Sequence, residues 1–133
     1  MDKAMYDKGL AIRKEVVGAE YVERALNAAD DFNRPLQELV TQYCWGEVWG
    51  RPGVDRRMRS VLNIGMLVAL NRPHELKIHL KAAFTNGVTQ HELRELLLQT
   101  AIYCGLPASL EAFRIAKEVI QETAKSTSGA VAS

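Results

Sequence analysis

Apolar residues recur along this chain at the three- and four-residue spacing of α-helices, and no segment shows the alternation of a half-buried strand. Leu93, Leu97, Ala101 and Cys104 trace one such stripe, and a T-x-x-E capping box that begins at Thr89 precedes it. The pattern predicts an all-α protein, a compact helical domain of about six to seven helices.

Prolines, glycines and capping residues mark where the predicted helices begin and end. We expect helices at about residues 1–17, 19–29, 32–45, 55–71, 73–86, 89–104 and from 107 onward. Gly46, Gly50, Pro52 and Gly53 interrupt the pattern after the third helix. The fourth helix is apolar almost all round after Ser60, which predicts that it is the central buried helix.

The length of 133 residues suits one domain with one core. We expect that domain to span residues 1–122, because residues 123–133 are small and polar without periodicity, which is typical of a disordered tail. Leu98 and Ile102 lie outside the main apolar stripe of their helix. This extra apolar width predicts a homo-oligomer with closed symmetry.

The charge balance limits the kinds of partner. The chain has 17 basic and 16 acidic residues, a formal net charge of +1, which provides no field for nucleic acid or for an anionic membrane surface. Residues 1–8 lack the pattern of a signal peptide, and the longest apolar run, residues 64–70, is too short to span a bilayer. We therefore expect a cytoplasmic protein whose partner is a small molecule.

The two cysteines, Cys44 and Cys104, form neither a C-x-x-C pair nor a cluster with zinc spacing. We interpret both as buried, reduced thiols, and the sequence leaves open whether they meet in space.

His79 is the first candidate for chemistry. Leu76, His79, Leu80 and Ala83 share one helical stripe, so the ring points toward the buried side. Such a histidine is either a core residue bonded to a carbonyl or part of a cavity wall, where it can move protons near neutral pH. Glu75, one turn earlier, either orients the ring or pairs with a lysine. His74 and His91 are expected to be solvated.

The interruption after the third helix holds a second group of candidates, Trp45, Glu47, Trp49 and Arg51. Rigid aromatic rings beside a guanidinium suit a small planar anion, because arginine can hold a carboxylate with two parallel hydrogen bonds. The alternative is that both tryptophans are packing anchors, Glu47 caps a turn and Arg51 is a surface charge.

Three arginines, Arg56, Arg57 and Arg59, crowd the start of the fourth helix, where the helix dipole disfavours cations. Arg59 is the best of them as a ligand contact, because it stands where the polar start of the helix gives way to the apolar part. The alternative is a solvated basic turn. Neither a phosphate-binding loop nor a nucleophile elbow nor a known cofactor motif is present.

The chain resembles the carboxymuconolactone decarboxylase family over nearly its whole length, up to about Glu122. Four segments carry the resemblance in the family's order and spacing: WGEVWGRPGVD, RSVLNIGMLVALN, ELKIHLKAAFTNGVT and LLLQTAIYCGLPA. The resemblance implies an alkylhydroperoxidase D-like helical fold and a homo-oligomer, a hexamer or a trimer. It also implies an active site beside the helix that carries His79.

The activity that the resemblance implies is decarboxylation of 4-carboxymuconolactone to 3-oxoadipate enol-lactone, in the protocatechuate branch of aromatic degradation, without a cofactor. In that reaction His79 would return a proton to carbon and Arg51, with Arg59, would hold the spectator carboxylate. Glu47 would orient His79 or a water. The rings of Trp45, Trp49 and Tyr103 would exclude water from the substrate.

Departures from related patterns define the alternatives. A sister branch uses a C-x-x-C pair for peroxide chemistry, but Arg72 and Glu75 stand where those cysteines would fall. Arg114 and Thr85 replace a histidine and an asparagine of the decarboxylase pattern, which bears on the exact substrate. The alternatives are a divergent member acting on another lactone or peroxide, favoured if Arg114 lines the pocket, and a noncatalytic helical oligomer that binds a small anion.

Overall fold

The computed structural model describes the backbone of residues 1–132 and the side chains of residues 1–126. Every regular element over residues 1–132 is a helix, which confirms the all-α prediction. The helices are α1 (Lys3–Val17), α2 (Ala19–Asn27), α3 (Arg34–Leu39), a π-helix (Val40–Val48), α4 (Arg56–Ala69), α5 (Pro73–Thr85), α6 (Gln90–Tyr103) and α7 (Leu106–Ala132).

The chain divides into an N-terminal unit, Met1–Arg56, and a C-terminal unit that begins at Arg57. In the N-terminal unit α1 packs against the π-helix. Two glycines allow this close approach: a Cβ atom on Gly9 would overlap the carbonyl oxygen of Thr41, and one on Gly46 would lie 2.5 Å from the carbonyl oxygen of Met5. The buried Arg13 donates hydrogen bonds to Gln37 and Thr41, 3.0 Å each.

In the C-terminal unit, α5 and α6 pack against α7. The core is built from buried aliphatic side chains of α4 to α7: Ile64, Val68, Leu76, Leu80, Leu93, Leu97, Ile115 and Val119. α6 begins with the capping box that the sequence predicts, because Thr89 Oγ1 accepts from the Glu92 backbone N–H and the Glu92 carboxylate accepts from that of Thr89. Pro73 begins α5, also as predicted.

The prediction that the chain is interrupted at Gly46 is wrong, because the π-helix continues to Val48. Gly46 is needed there for close packing against α1 rather than for a turn. The prediction for the fourth helix is wrong in part. Within this chain α4 buries only Ser60, Ile64 and Val68, whereas Leu62 on its other side is exposed.

The prediction that both cysteines are buried is wrong for Cys44, which is exposed, and holds only in part for Cys104, which is half-buried; both thiols are free. Residues 123–132, predicted to be a disordered tail, continue α7 as helical backbone, and Thr123 Oγ1 donates to the Val119 carbonyl. Ser133 lies outside the described residues. Along the described part of the chain, each helix is too short or too polar to cross a bilayer.

Candidate active site

His79 lies on α5 at the edge of the stripe formed by Leu76, Leu80 and Ala83, and its ring is half-buried. The predicted stripe is therefore correct, but His79 marks its border rather than its centre. The Nδ1 atom of the ring is 3.3 Å from the side-chain amide nitrogen of Asn63 on α4. This polar contact with an amide replaces the backbone carbonyl that a core histidine was expected to bind.

A second polar contact joins the same two segments of the chain. Ser60 is fully buried one turn before Asn63 on α4, and its Oγ accepts a hydrogen bond of 2.9 Å from the Asn86 side chain at the end of α5. The two contacts set the position of α4 along α5. As a result, the Asn63 amide is held beside the His79 ring.

The environment of His79 favours the neutral ring. Burial lowers the pKa of His79 below its ordinary value, and the negative charge of Glu75 opposes this shift without cancelling it. A half-buried imidazole that stays neutral keeps one donor and one acceptor nitrogen. The exposed Glu75 thus acts on the ring through its charge.

The arginines at the start of α4 have different surroundings. Arg56 pairs with Glu15 in the N-terminal unit, and Arg57 pairs with Glu92 in the C-terminal unit. Arg59 is half-buried and stands one turn before Asn63, on the same side of α4. Of the three, Arg59 therefore has the best position for a role beside His79.

The residues predicted from the WGEVWGR segment lie in the N-terminal unit. Trp45 and Trp49 are both buried, with ring centroids 4.9 Å apart and planes tilted by 34°. Glu47 forms an exposed ion pair with Arg51, with 3.5 Å between nitrogen and oxygen. The π-helix and the turn after it thus hold the two tryptophan rings as one packed pair and the charges of Glu47 and Arg51 as another. The roles in binding and catalysis predicted for these four residues remain predictions.

Tyr103 ends α6 and is 83% exposed. It lines an apolar cavity of about 460 Å³ between α4 and α6 together with Leu62, Met66 and Leu96. His79 and Asn63 do not line this cavity, so the structure does not bring Tyr103 together with His79 there.

Arg114 lies on α7 beside a larger cavity of about 660 Å³ between α6 and α7, whose floor includes Leu97 and Phe113. His79 does not line this cavity either. Arg114 also forms an ion pair of 2.7 Å with Glu118 one turn later. A divergent activity is favoured if Arg114 lines the pocket of His79. This cavity does not bring the two residues together.

Asn63, Ser60 and Asn86 are the residues that sequence reasoning missed. A signal for Asn63 was present, since it is the one polar side chain in the apolar stretch of residues 61–69 that follows Ser60. Asn86 was interpreted only as a residue that ends α5. Among the described residues, no group of three His, Cys, Asp or Glu side chains could hold a metal ion.

Comparisons with known proteins agree on one family. The carboxymuconolactone decarboxylase family matches residues 34–118. A protein of Acinetobacter baylyi named 4-carboxymuconolactone decarboxylase is 46% identical over 121 residues, which cover 91% of this chain and 90% of that protein. A protein of Metarhizium robertsii named nitrosuccinic acid decarboxylase is 43% identical over 122 residues, 92% of this chain and 85% of that protein.

Proposed function

The chain belongs to the carboxymuconolactone decarboxylase family, and we propose that it is a carboxy-lyase that converts 4-carboxymuconolactone to 3-oxoadipate enol-lactone. The observation that carries this proposal is the 46% identity over 91% of the chain with a protein of that activity by name. The half-buried His79, held beside Asn63, is the group that we expect to act on the reacting part of the substrate.

The chemistry of this substrate suits a site made only of side chains. The carbon that bears the departing carboxylate is conjugated, through the ring double bond, to the lactone carbonyl. When CO2 leaves, the electron pair spreads into a furan-like dienolate whose negative charge rests on the oxygen of the lactone carbonyl. Because the substrate is its own electron sink, the reaction requires no metal, pyridoxal or thiamine.

The protein then has three tasks: to hold the spectator carboxylate, to stabilise the enolate oxygen and to support return of a proton to carbon. Arg59 suits the first, because its guanidinium can bind a carboxylate and it stands on the same side of α4 as Asn63. A cation on the departing carboxylate would instead oppose its loss. His79 suits the other two tasks.

Sequence and resemblance support the remaining assignments. We propose Arg51 as a second holder of the spectator carboxylate and Glu47 as an orienting group for His79 or a water. We propose Trp45, Trp49 and Tyr103 as aromatic residues that keep water from the substrate. The ion pair between Glu47 and Arg51 would have to open for Arg51 to take a carboxylate.

A second candidate substrate is nitrosuccinate, because the relative of that name is 43% identical over 92% of this chain. The two reactions share one step. Loss of the carboxylate beside a nitro group leaves its electron pair in a nitronate, just as loss from the lactone leaves it in a dienolate. In both, the site must stabilise negative charge that forms on an oxygen away from the breaking bond.

We also propose a cytoplasmic homo-oligomer, a hexamer or trimer, with an alkylhydroperoxidase D-like fold and a place in protocatechuate degradation. Exposed apolar residues support the oligomer. Leu62, Met66 and Tyr103 surround the α4–α6 cavity, which no charged residue lines, and Ile102 is 81% exposed nearby on α6. So much apolar surface is typical of an interface between subunits.

The experiment that tests the activity gives the purified protein each substrate separately, with CO2 release and product structure as readouts. We expect kcat/KM to be at least about tenfold higher for 4-carboxymuconolactone, a difference of about 1.4 kcal/mol in transition-state stabilisation. The reverse ratio would move the assignment to nitrosuccinate. Turnover of neither by folded protein would leave the noncatalytic anion-binding oligomer. Reduction of an added hydroperoxide, measured separately with a thiol reductant, would indicate the peroxide alternative.

A further inference from the structure

We infer that Asn63 is a positioning residue that holds His79 as the neutral tautomer with its proton on Nε2, so that His79 serves as an N–H donor to the enolate oxygen. This inference rests on the proposed decarboxylase function for its chemical consequence. Its structural part concerns one contact, the 3.3 Å between Asn63 Nδ2 and His79 Nδ1.

The position of the ring proton follows from what each nitrogen can do. The amide nitrogen of asparagine only donates hydrogen bonds, so a ring nitrogen that pairs with it must accept and cannot carry a proton. A neutral imidazole has one donor and one acceptor. Because Nδ1 accepts from Asn63, the proton of His79 lies on Nε2, which leaves that nitrogen as the donor.

The surroundings keep this arrangement in place. Ser60, one turn before Asn63, bonds to Asn86 beyond the end of α5, and Ile64, the residue after Asn63, packs in the same core as Leu80. Two core residues and one polar contact therefore fix the two helices on either side of the amide. A side chain held by its neighbours in this way can orient a catalytic group.

The charged groups near the ring agree with a neutral His79. Burial disfavours the imidazolium, and Glu75 on the same helix offsets only part of that effect. On α4 the facing residue is the uncharged Asn63, and the charged residue one turn before it is Arg59, a cation. A carboxylate on α4 at the position of Asn63 would favour the imidazolium, and none is there.

The step can then be written with its protons and electrons. The bond between the ring carbon and the carboxylate breaks and CO2 leaves. The electron pair moves to the oxygen of the lactone carbonyl, which accepts a hydrogen bond from His79 Nε2–H. The carbon next to the carbonyl then takes a proton from water as the carbonyl re-forms, and the hydroxide combines with CO2 as bicarbonate. His79 keeps its proton throughout, so it supports the return of a proton to carbon by stabilising the enolate that water protonates.

The first experiment reads the ring directly, by ¹⁵N NMR of the full-length protein with labelled histidine, and needs no substrate. We expect His79 to show an unprotonated Nδ1 and a protonated Nε2. In Asn63→Asp the carboxylate can only accept, so at a pH high enough to keep the variant's ring neutral the proton should move to Nδ1. Asn27→Asp makes the same change at an exposed position of α2 and should leave the His79 pattern as in the native protein.

Two NMR results would overturn the inference: a native His79 with Nδ1 protonated, or a pattern that stays the same in Asn63→Asp. Asn63→Ala provides a second variant if the aspartate disturbs folding, and it should show a mixture of both tautomers. Because these readouts need no turnover, an absence of decarboxylation would refute the proposed function without refuting the positioning by Asn63.

The second experiment measures kcat/KM against pH. A neutral donor predicts that kcat/KM is retained as pH rises above the lowered pKa of His79, whereas an imidazolium acid would lose activity as pH rises through that pKa. At a pH high enough to keep the variant's ring neutral, Asn63→Asp should lower kcat about 10²- to 10³-fold, the usual loss when one donor to a developing oxyanion is removed. Higher activity in Asn63→Asp would contradict the donor role.

Discussion

Gly9 on α1 lies directly against Thr41 on the π-helix, so close that a Cβ atom on Gly9 would overlap the Thr41 carbonyl oxygen. Backbone meets backbone at this point, and neither partner is a flexible side chain that could move aside. The packing of the N-terminal unit therefore depends on the absence of one methyl group.

Gly9→Ala should destabilise the protein by about 1–3 kcal/mol, because the overlap outweighs the better helix propensity of alanine. Gly53→Ala is the matched control, since no atom lies within 4 Å of the position that its Cβ would take. Its effect should stay within about 0.5 kcal/mol. Urea unfolding of both variants measures the difference, and equal stabilities would mean that α1 does not pack here.

The same packing explains where sequence reasoning failed in the N-terminal unit. A glycine within a helical pattern is most simply interpreted as a break, and Gly46 was interpreted in that way. Its actual role depends on the backbone of Met5, some forty residues away in sequence, and local patterns carry no information about such a contact. The helix boundaries from Pro73 to Thr89 were predicted well, because caps and prolines act locally.

The candidate site was predicted in the same uneven way. Helical spacing was enough to place His79 at the buried side of α5, because periodicity within one helix gives the direction of a side chain. Asn63 was missed because its importance arises only when α4 packs against α5. Glu47 and Arg51, by contrast, are four residues apart in sequence, a spacing at which an ion pair can be predicted from sequence alone.

Thr89→Ala tests the capping box at the start of α6. The substitution removes the hydroxyl that accepts from the Glu92 backbone N–H, which should cost about 1 kcal/mol of stability. Thr85→Ala is the control, because Thr85 is exposed near the end of α5 and should change stability by less than about 0.5 kcal/mol. A larger loss from Thr85→Ala than from Thr89→Ala in thermal unfolding would argue against the cap.

The lowered pKa of His79 makes stability depend on pH. At a pH below the ordinary pKa of histidine, His79 is protonated in the unfolded chain but largely unprotonated in the folded protein. The free energy of unfolding should therefore fall as pH decreases from about 7.5 to 5.5. His79→Gln lacks this titration, whereas His74 and His91 are exposed in both proteins and cancel in the comparison. A stability difference between native protein and variant that does not change with pH would refute a half-buried ring that folding keeps neutral.

Ile102→Asp and Leu62→Asp test the proposed interface. Each places a charge on the exposed apolar surface around the α4–α6 cavity and should shift the protein to smaller species in light scattering. Asn27→Asp adds the same charge at an exposed position of α2 and should leave the assembly as in the native protein. Oligomers that persist unchanged in both apolar variants would exclude this surface.

The most direct test of the account is the turnover of 4-carboxymuconolactone by the native protein and by His79→Gln, with folding of both checked by circular dichroism. We expect the native protein to release CO2 and form 3-oxoadipate enol-lactone, and the variant to lose at least about 10²-fold in kcat. A folded native protein without turnover, or a variant as fast as the native protein, would contradict a decarboxylase that acts through His79.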